Sequence, residues 1–268
     1  MIFLLKPFFT GDKYQTDGNK RNLFDKLFLN SRWYFIYGYG KEVFRGRKLA
    51  LNGKYDTEEW ASSSYRIFQG IEKSGGKIFI EGMENINKVA GPVVFVSNHM
   101  SDLETFIFPC IIAPIKEATY VVKESLTSNP IFGPVMRSRN PIALARKNPK
   151  QDLIKVINEG KDILAKGTSI ILFPEGTRQL EFSPEKFNSL GIKLAKEAGV
   201  PVIPIAIKTD FYGIGKLIKD VGPVRRKEPV CISFGEPISI SGNGKAEHKQ
   251  VIEFISEKVN EFKKIKTT

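Results

Sequence analysis

The chain has 268 residues, 41% of them apolar, which fits an ordinary globular protein with a full core and excludes a disordered or fibrous one. Its 41 Lys and Arg against 29 Asp and Glu leave a net charge of +12. Such an excess points to a polyanionic neighbour (nucleic acid, anionic lipid or a phosphorylated substrate), with a lysine-rich composition as the plainer source.

Taken from the start, MIFLLKPFFTGDKYQ has neither a basic leading region nor a small-residue cleavage site, and it is not read as a signal peptide. Leu23 to Tyr39 concentrates Phe, Trp and Tyr, and Lys41, Arg45, Arg47 and Lys48 follow. Aromatic rings with a polar tip favour the lipid headgroup level, and flanking basic residues add attraction to anionic lipid. The same rings would serve equally as the inner face of a helix packed on the main domain. No run reaches the roughly 18–20 apolar residues of a membrane-spanning helix, so a membrane would be met at its surface.

From about Lys77, short β-branched runs alternate with helical patterns. Strands are expected at 77–81, 93–96, 119–123, 142–145, 169–173, 202–208 and 230–234. Helices are expected over 150–166 and 186–197, stopped by Gly167 and Gly199, and over 246–264, where Val251, Phe254, Ile255, Val259 and Phe262 share one stripe. The alternation predicts an α/β fold: one layered domain, a largely parallel or mixed sheet, and flanking helices.

Several chemistries are missing from the motif inventory. There is no G-x-S-x-G elbow, no phosphate-binding P-loop, no dinucleotide fingerprint and no RNA-binding signature, so nucleic acid is not an expected partner. The cysteines, Cys110 and Cys231, lie far apart in apolar surroundings, which argues against disulfides and for a reducing compartment. Two separated histidines complete no zinc set, and no metal is expected.

Three clusters remain, each just after a predicted strand, where open α/β sheets bind ligands. The first is SNHMSDLETF, residues 97–106, in which His99 is followed by Asp102 and Glu104. An imidazole oriented by an acid can take a proton from an alcohol. On a continuous helix Asp102 would lie nearer His99 than Glu104 does, but Ser101-x-x-Glu104 is also a capping box that would start the helix after His99. Glu104, Asp102 or neither therefore stands as the partner of His99. The second cluster is Phe173-Pro-Glu-Gly-Thr-Arg178, whose Gly176 permits close backbone approach and whose guanidinium fork matches a phosphate. The third is the set of cations Lys123, Arg137, Arg139 and Arg146 at neighbouring strand ends.

Together and in this order, Asn98-His99 with Glu104, Phe132-Gly133 through Arg146, the FPEGTR block and Val200-Pro-Val-Ile-Pro204 resemble the glycerolipid acyltransferase family that includes 1-acylglycerol-3-phosphate acyltransferase. The resemblance covers about residues 77–240, and it departs at one point: the family acid is normally Asp, where this chain has Glu104. It implies an acyltransferase domain over 77–268; residues 1–76, which the resemblance does not reach, are expected from their aromatic and basic content to form membrane-interface helices. It implies an O-acyltransferase that moves a fatty acyl group from acyl-CoA or acyl-ACP to the free hydroxyl of lysophosphatidate, forming phosphatidate. His99 is then the general base with an acidic partner, no acyl-enzyme forms, and no cofactor is needed. Lys123, Arg146, Glu175, Gly176, Thr177 and Arg178 bind the acceptor, and an oxyanion donor is expected near Val202–Ile205. The implied partners are the thioester, the lysophospholipid, anionic membrane and acyl carrier protein, at the cytoplasmic face of the cell membrane as a peripheral or monotopic protein. The alternatives are the same chemistry on glycerol 3-phosphate or another lysolipid, and a non-catalytic lipid-surface binder.

Overall fold

In the computed structural model of the chain, residues 5–18, 20–27, 31–213, 215 and 222–265 are described. Residues 28–30, inside the aromatic segment, and 1–4, at the start of the chain, lie outside them. Eight strands form one sheet: β1 (Tyr14–Gln15), β2 (Ile78–Glu81), β3 (Val94–Ser97), β4 (Ala118–Lys123), β5 (Ile142–Leu144), β6 (Ser169–Leu172), β7 (Val202–Lys208) and β8 (Val230–Phe234). The helices are α1 (Leu23–Leu27), α2 (Trp33–Leu51), α3 (Thr57–Lys73), α4 (Leu103–Ile112), α5 (Glu124–Thr127), α6 (Gly133–Ser138), α7 (Pro149–Ala165), α8 (Leu190–Ala198) and α9 (Lys245–Phe262).

The sheet order is β1-β2-β8-β7-β3-β6-β4-β5. Strands β7, β3, β6, β4 and β5 are mutually parallel, whereas β8 runs antiparallel to β7 and β1 antiparallel to β2. The sheet is mixed, and the carboxyl ends of its five parallel strands share one edge.

Helices cover both faces, so the central strands read as unbroken apolar runs. Alternate residues feed two cores. Phe95, Ile171, Ile203 and Ile205 pack with residues of α3 and α4, such as Phe68, Ile71 and Phe108. Val94, Val96, Ile170 and Leu172 pack on the other face with Val156 of α7, Leu194 of α8 and Val251 and Ile255 of α9. The expected strands and the helices α7 and α9 appear within a residue or two of their predicted ends.

Helix α8 begins later than the pattern over 186–197 indicates. Asn188 Oδ1 accepts the Leu190 amide at 2.9 Å, and residues 184–186 form only a 3-10 turn. A side chain that captures a nearby amide ends the preceding turn and starts the helix beyond itself.

Residues before Lys77 join the same domain rather than standing apart from it. β1 pairs with β2, and Phe35 of α2 and Trp60, Phe68 and Ile71 of α3 are buried in the first core. Helix α3 is started by Asp56, whose carboxylate accepts the Glu59 amide. In the aromatic segment and just beyond it, Phe35 is buried, whereas Trp33, Tyr37 and Phe44 are exposed.

Candidate active site

The site is built where β3, β6 and β7 end together. β3 ends at Ser97, and buried Asn98 clamps it to β7 through two bonds: its Nδ2 donates to Ile207 O at 3.0 Å, and Ile207 N donates to its Oδ1 at 2.9 Å. The next residue, His99, is held by the FPEGTR loop that follows β6. Its amide donates to Glu175 Oε2 at 2.8 Å, and its carbonyl accepts from Gln179 N at 2.8 Å. The His99 ring stacks on Phe173, centroids 4.4 Å apart. Backbone and ring are both fixed, although the two segments are 76 residues apart.

Glu104 stands against the imidazole, with Nδ1 2.9 Å from its Oε1. The same oxygen accepts the amides of Met100 at 2.7 Å and Ser101 at 2.8 Å, and Oε2 accepts the hydroxyls of Ser101 at 2.9 Å and Thr209 at 2.7 Å. Ser101 Oγ in turn accepts Leu103 N at 3.1 Å, which completes the capping box ahead of α4. One carboxylate therefore caps the helix and orients the histidine.

Glu104 is fully buried. Burial raises its pKa, but the His99 hydrogen bond and charge together with the Thr209 hydroxyl outweigh it and hold the carboxyl below its ordinary range. An ionised carboxylate only accepts, so the proton of a neutral imidazole sits on Nδ1 and the lone pair on Nε2. His99 lines the large cavity described next.

The Asp102 carboxylate meets a different group: its Oδ2 pairs with Nη1 of Arg178, the last residue of FPEGTR. Glu175 does not line the cavity. It is turned away from the cavity, its oxygens taken by the His99 and Ser183 amides, and burial keeps its pKa raised despite those bonds. Gly176, Thr177 and Arg178 line the cavity. Gly176 has φ +69°, a left-handed conformation that glycine adopts without steric cost. Arg146 is also left-handed, at φ 56°, and its Nη1 donates to Gly176 O, which joins the end of β5 to the FPEGTR loop. Exposed Lys123, at the end of β4, lines the same mouth.

Arg137 donates to Thr127 O, and Arg139 pairs with Glu117 and lies over the Trp60 ring. Arg139 also lines the cavity. The amides expected as oxyanion donors, Val202–Ile205, belong to buried β7 between β3 and β8 and do not line the cavity.

The cavity measures about 1030 Å³ and runs from His99 into the first core. Its apolar wall includes Val43 of α2, Trp60 and Ile67 of α3, Phe106 of α4, and Val135 and Met136 of α6. The segment 131–136 contributes Phe132, Val135 and Met136 to this wall. From 106–112 only Phe106 reaches the wall, because the residues that follow it in α4 are buried in the core.

Thr209, Lys193 and Asn188 escape the motif reading. Thr209 follows the apolar run of β7 and carries no motif; Lys193 and Asn188 reach the mouth only because α8 packs beside β3. Among the described residues no group of three or more His, Cys, Asp or Glu could hold a metal ion.

Residues 77–208 match the family model named Acyltransferase. The chain is 32% identical over 171 residues to the 1-acyl-sn-glycerol-3-phosphate acyltransferase of Pseudomonas aeruginosa, covering 64% of this chain and 63% of that protein. It is 31% identical over 159 residues to the chloroplastic 1-acyl-sn-glycerol-3-phosphate acyltransferase of Arabidopsis thaliana, covering 59% of this chain and 40% of that one. The matches thus span less than two thirds of the length of these relatives. The crystal structure of the 1-acyl-sn-glycerophosphate acyltransferase PlsC from Thermotoga maritima has the same fold, with a TM-score of 0.66 at 24% identity, over 91% of this chain and 99% of that one.

Proposed function

We propose that this chain, whose residues 77–208 match the Acyltransferase family model, transfers a fatty acyl group from an acyl-CoA or acyl-ACP thioester to the free hydroxyl of lysophosphatidate and so makes phosphatidate. The observation that carries the reading is the His99–Glu104 pair beside a cavity that is cationic at its mouth and apolar within.

In the proposed reaction Nε2 of His99 takes the acceptor's hydroxyl proton as that oxygen attacks the thioester carbonyl. Glu104 keeps the ring in register and offsets the charge that forms on it. Collapse of the tetrahedral intermediate expels the thiolate, which recovers the proton from the imidazolium. The two substrates account for every atom, so the reaction needs no cofactor. A thiol nucleophile finds no support: burial pushes both Cys110 and Cys231 up to about 12, so each stays protonated at neutral pH.

Arg178, Arg146, Lys123 and the Gly176–Thr177 backbone would receive the acceptor's phosphate, and the apolar cavity the acyl chain. Fixing both reactants against His99 can supply several kcal/mol, about 7–11 in favourable cases.

The reading includes a membrane surface. No described helix is long and apolar enough to cross a membrane. On α2, however, Trp33, Tyr37, Phe44 and Leu51 are exposed and fall within about 40° of one another at 100° per residue, with exposed Lys41 and Lys48 alongside. Such a stripe suits the headgroup level of an anionic bilayer, on the cytoplasmic side where soluble thioesters are available.

The test is purified protein with acyl thioester and a panel of lysolipids, following free thiol. Thiol release that depends on lysophosphatidate and disappears in His99→Ala supports the reading; turnover like wild type in that variant ends it.

A further inference from the structure

We propose that the cavity has a second arm, between the starts of α7 and α8, that receives the phosphopantetheine of the thioester donor, with Lys193 at its phosphate. The proposal rests on the function proposed above and gives a place to the half of the donor that leaves.

The first observation is the course of the cavity. Its apolar wall lies on the face of the sheet that carries α3 and α4. The cavity is not confined to that face. Over the ends of β5 and β6 it is lined by Leu144 and Leu172, which belong to the second core, and it continues to the first turn of α7 and the start of α8. A thioester with its carbonyl at His99 has two substituents that diverge from one carbon. With the acyl chain on the first face, the sulfur arm must leave another way, and the second arm supplies it.

The second is the chemistry of that arm. It is lined by Asp152, Leu153, Asn188, Ser189, Leu190 and Lys193, a mixture of polar and aliphatic groups. Pantetheine is a thread of two amides, a hydroxyl and a dimethyl-bearing carbon, and it needs both kinds of contact. Asn188 donates through Nδ2 to Pro174 O and accepts the Leu190 amide at Oδ1, so its carboxamide keeps a second N–H and a second lone pair. The Ser189 hydroxyl does not cap α8. The Asp152 carboxylate can accept an amide N–H, and it repels a phosphate placed beside it.

The third is the order of these groups. Asn188 touches the FPEGTR loop at Pro174, and the next residue, Glu175, holds the His99 amide. Ser189 follows Asn188, and Lys193 stands one helical turn beyond on the same face, about 6 Å along α8. Exposed Lys193 has no ion pair or side-chain hydrogen bond among the described residues. Arg139, Arg146 and Arg178 on the cavity wall each have a protein partner, and Lys123 stands at the end of β4 with the groups proposed for the acceptor. Outward from His99 the arm thus offers a carboxamide, a hydroxyl and an ammonium. The thread presents its amides, its hydroxyl and its phosphate in the same sequence.

The test compares wild type with Lys193→Ala, Lys193→Gln and Lys193→Arg in the full chain, using one acyl group on CoA, on acyl carrier protein and on pantetheine. In Lys193→Ala the KM for acyl-CoA and for acyl-ACP should each rise about tenfold, the scale of a lost hydrogen bond to a charged group. The KM for the lysolipid should not follow. Acyl-pantetheine, which lacks the phosphate, should show the same KM in both proteins. Lys193→Arg should recover most of the loss, and Lys193→Gln is the variant to read if the alanine form does not fold. Unaltered KM for both phosphorylated donors overturns the proposal. So does a rise confined to acyl-CoA, which assigns Lys193 to the nucleotide, or to acyl-ACP, which assigns it to the carrier's surface. A rise for the lysolipid alone assigns Lys193 to the acceptor and overturns it as well.

A second readout does not depend on turnover. In calorimetry, wild type should bind 4′-phosphopantetheine about tenfold more tightly than pantetheine, and Lys193→Ala should bind the two alike. Equal affinity in wild type, or binding of neither, overturns the proposal even if lysophosphatidate is not the acceptor. Absence of turnover in wild type would instead sink the function proposed above and leave this readout to decide.

Discussion

Nδ1 of His99 lies 2.9 Å from Oε1 of Glu104, five residues on, and that oxygen also receives the amides of Met100 and Ser101. The imidazole is therefore held by a group that is itself held by the start of a helix. Any change at Glu104 touches the proposed proton transfer and the helix cap together, and the two effects can be separated by choice of side chain.

Glu104→Gln keeps the shape. Its amide oxygen can face His99 and the two amides, and its NH2 can donate to the hydroxyls of Ser101 and Thr209. We expect the variant to fold and to lose about 100- to 10,000-fold in turnover, the usual scale of general acid–base catalysis. Asp102→Asn should lose far less in kcat. Thiol-release kinetics on both variants check the ranking, and the reverse order would move the catalytic acid to Asp102.

Acid stability should report the same carboxylate. The folded pKa of Glu104 is depressed below the ordinary value near 4.3. Its contribution is therefore present above that ordinary value and lost as pH falls through the folded one. Thermal melts of wild type and Glu104→Gln between neutral pH and pH ~3 should differ most at neutrality and converge in acid. A gap that widens in acid would contradict the sign.

Gly46 of α2 lines the cavity, and a Cβ there would meet the Tyr55 ring at 3.1 Å and Val135 at 3.5 Å. Gly46→Leu should push a side chain into the space proposed for the acyl group. Turnover should then fall more for long-chain than for short-chain thioesters, as measured with a chain-length series. An equal loss at every length would place the acyl chain elsewhere.

The exposed stripe of α2 gives a prediction away from the chemistry. Tyr37→Ser with Phe44→Ser removes two exposed rings and should weaken binding to anionic vesicles by about tenfold or more, given about 25 cal/mol per Å² of apolar surface. Far-UV circular dichroism and melting temperature should stay close to wild type. Vesicle co-sedimentation that is unchanged in the double variant would detach this face from the membrane.

The strands after Lys77, helices α7, α9 and most of α8, and the pieces of the site were legible because each is a local pattern. Apolar runs bounded by turns mark buried strands, and S-x-x-E marks a helix start whose acid can reach back one turn to His99. The pairing of His99 with Glu104 needs little more than that turn. Residues 23–51 were legible only in part, because an aromatic stripe has the same spacing whether it faces a core or a bilayer. Phe35 turns inward while Tyr37 and Phe44 turn outward, and α3 supplies the opposite wall.

By itself, then, the sequence determined the α/β alternation, the position of each cluster at a strand end, and the two acids, Asp102 and Glu104, that stand within reach of His99. Tertiary structure alone decided which acid pairs with Arg178, that Thr209 completes the shell of Glu104, and that Glu175 serves two backbone amides. Those contacts join residues 76 to 105 positions apart, or 8 in the case of Ser183. They exist because β3 lies between β7 and β6, which brings three loop starts to one edge. Strand order is set by how the two cores pack across the whole sheet, and no local pattern encodes it.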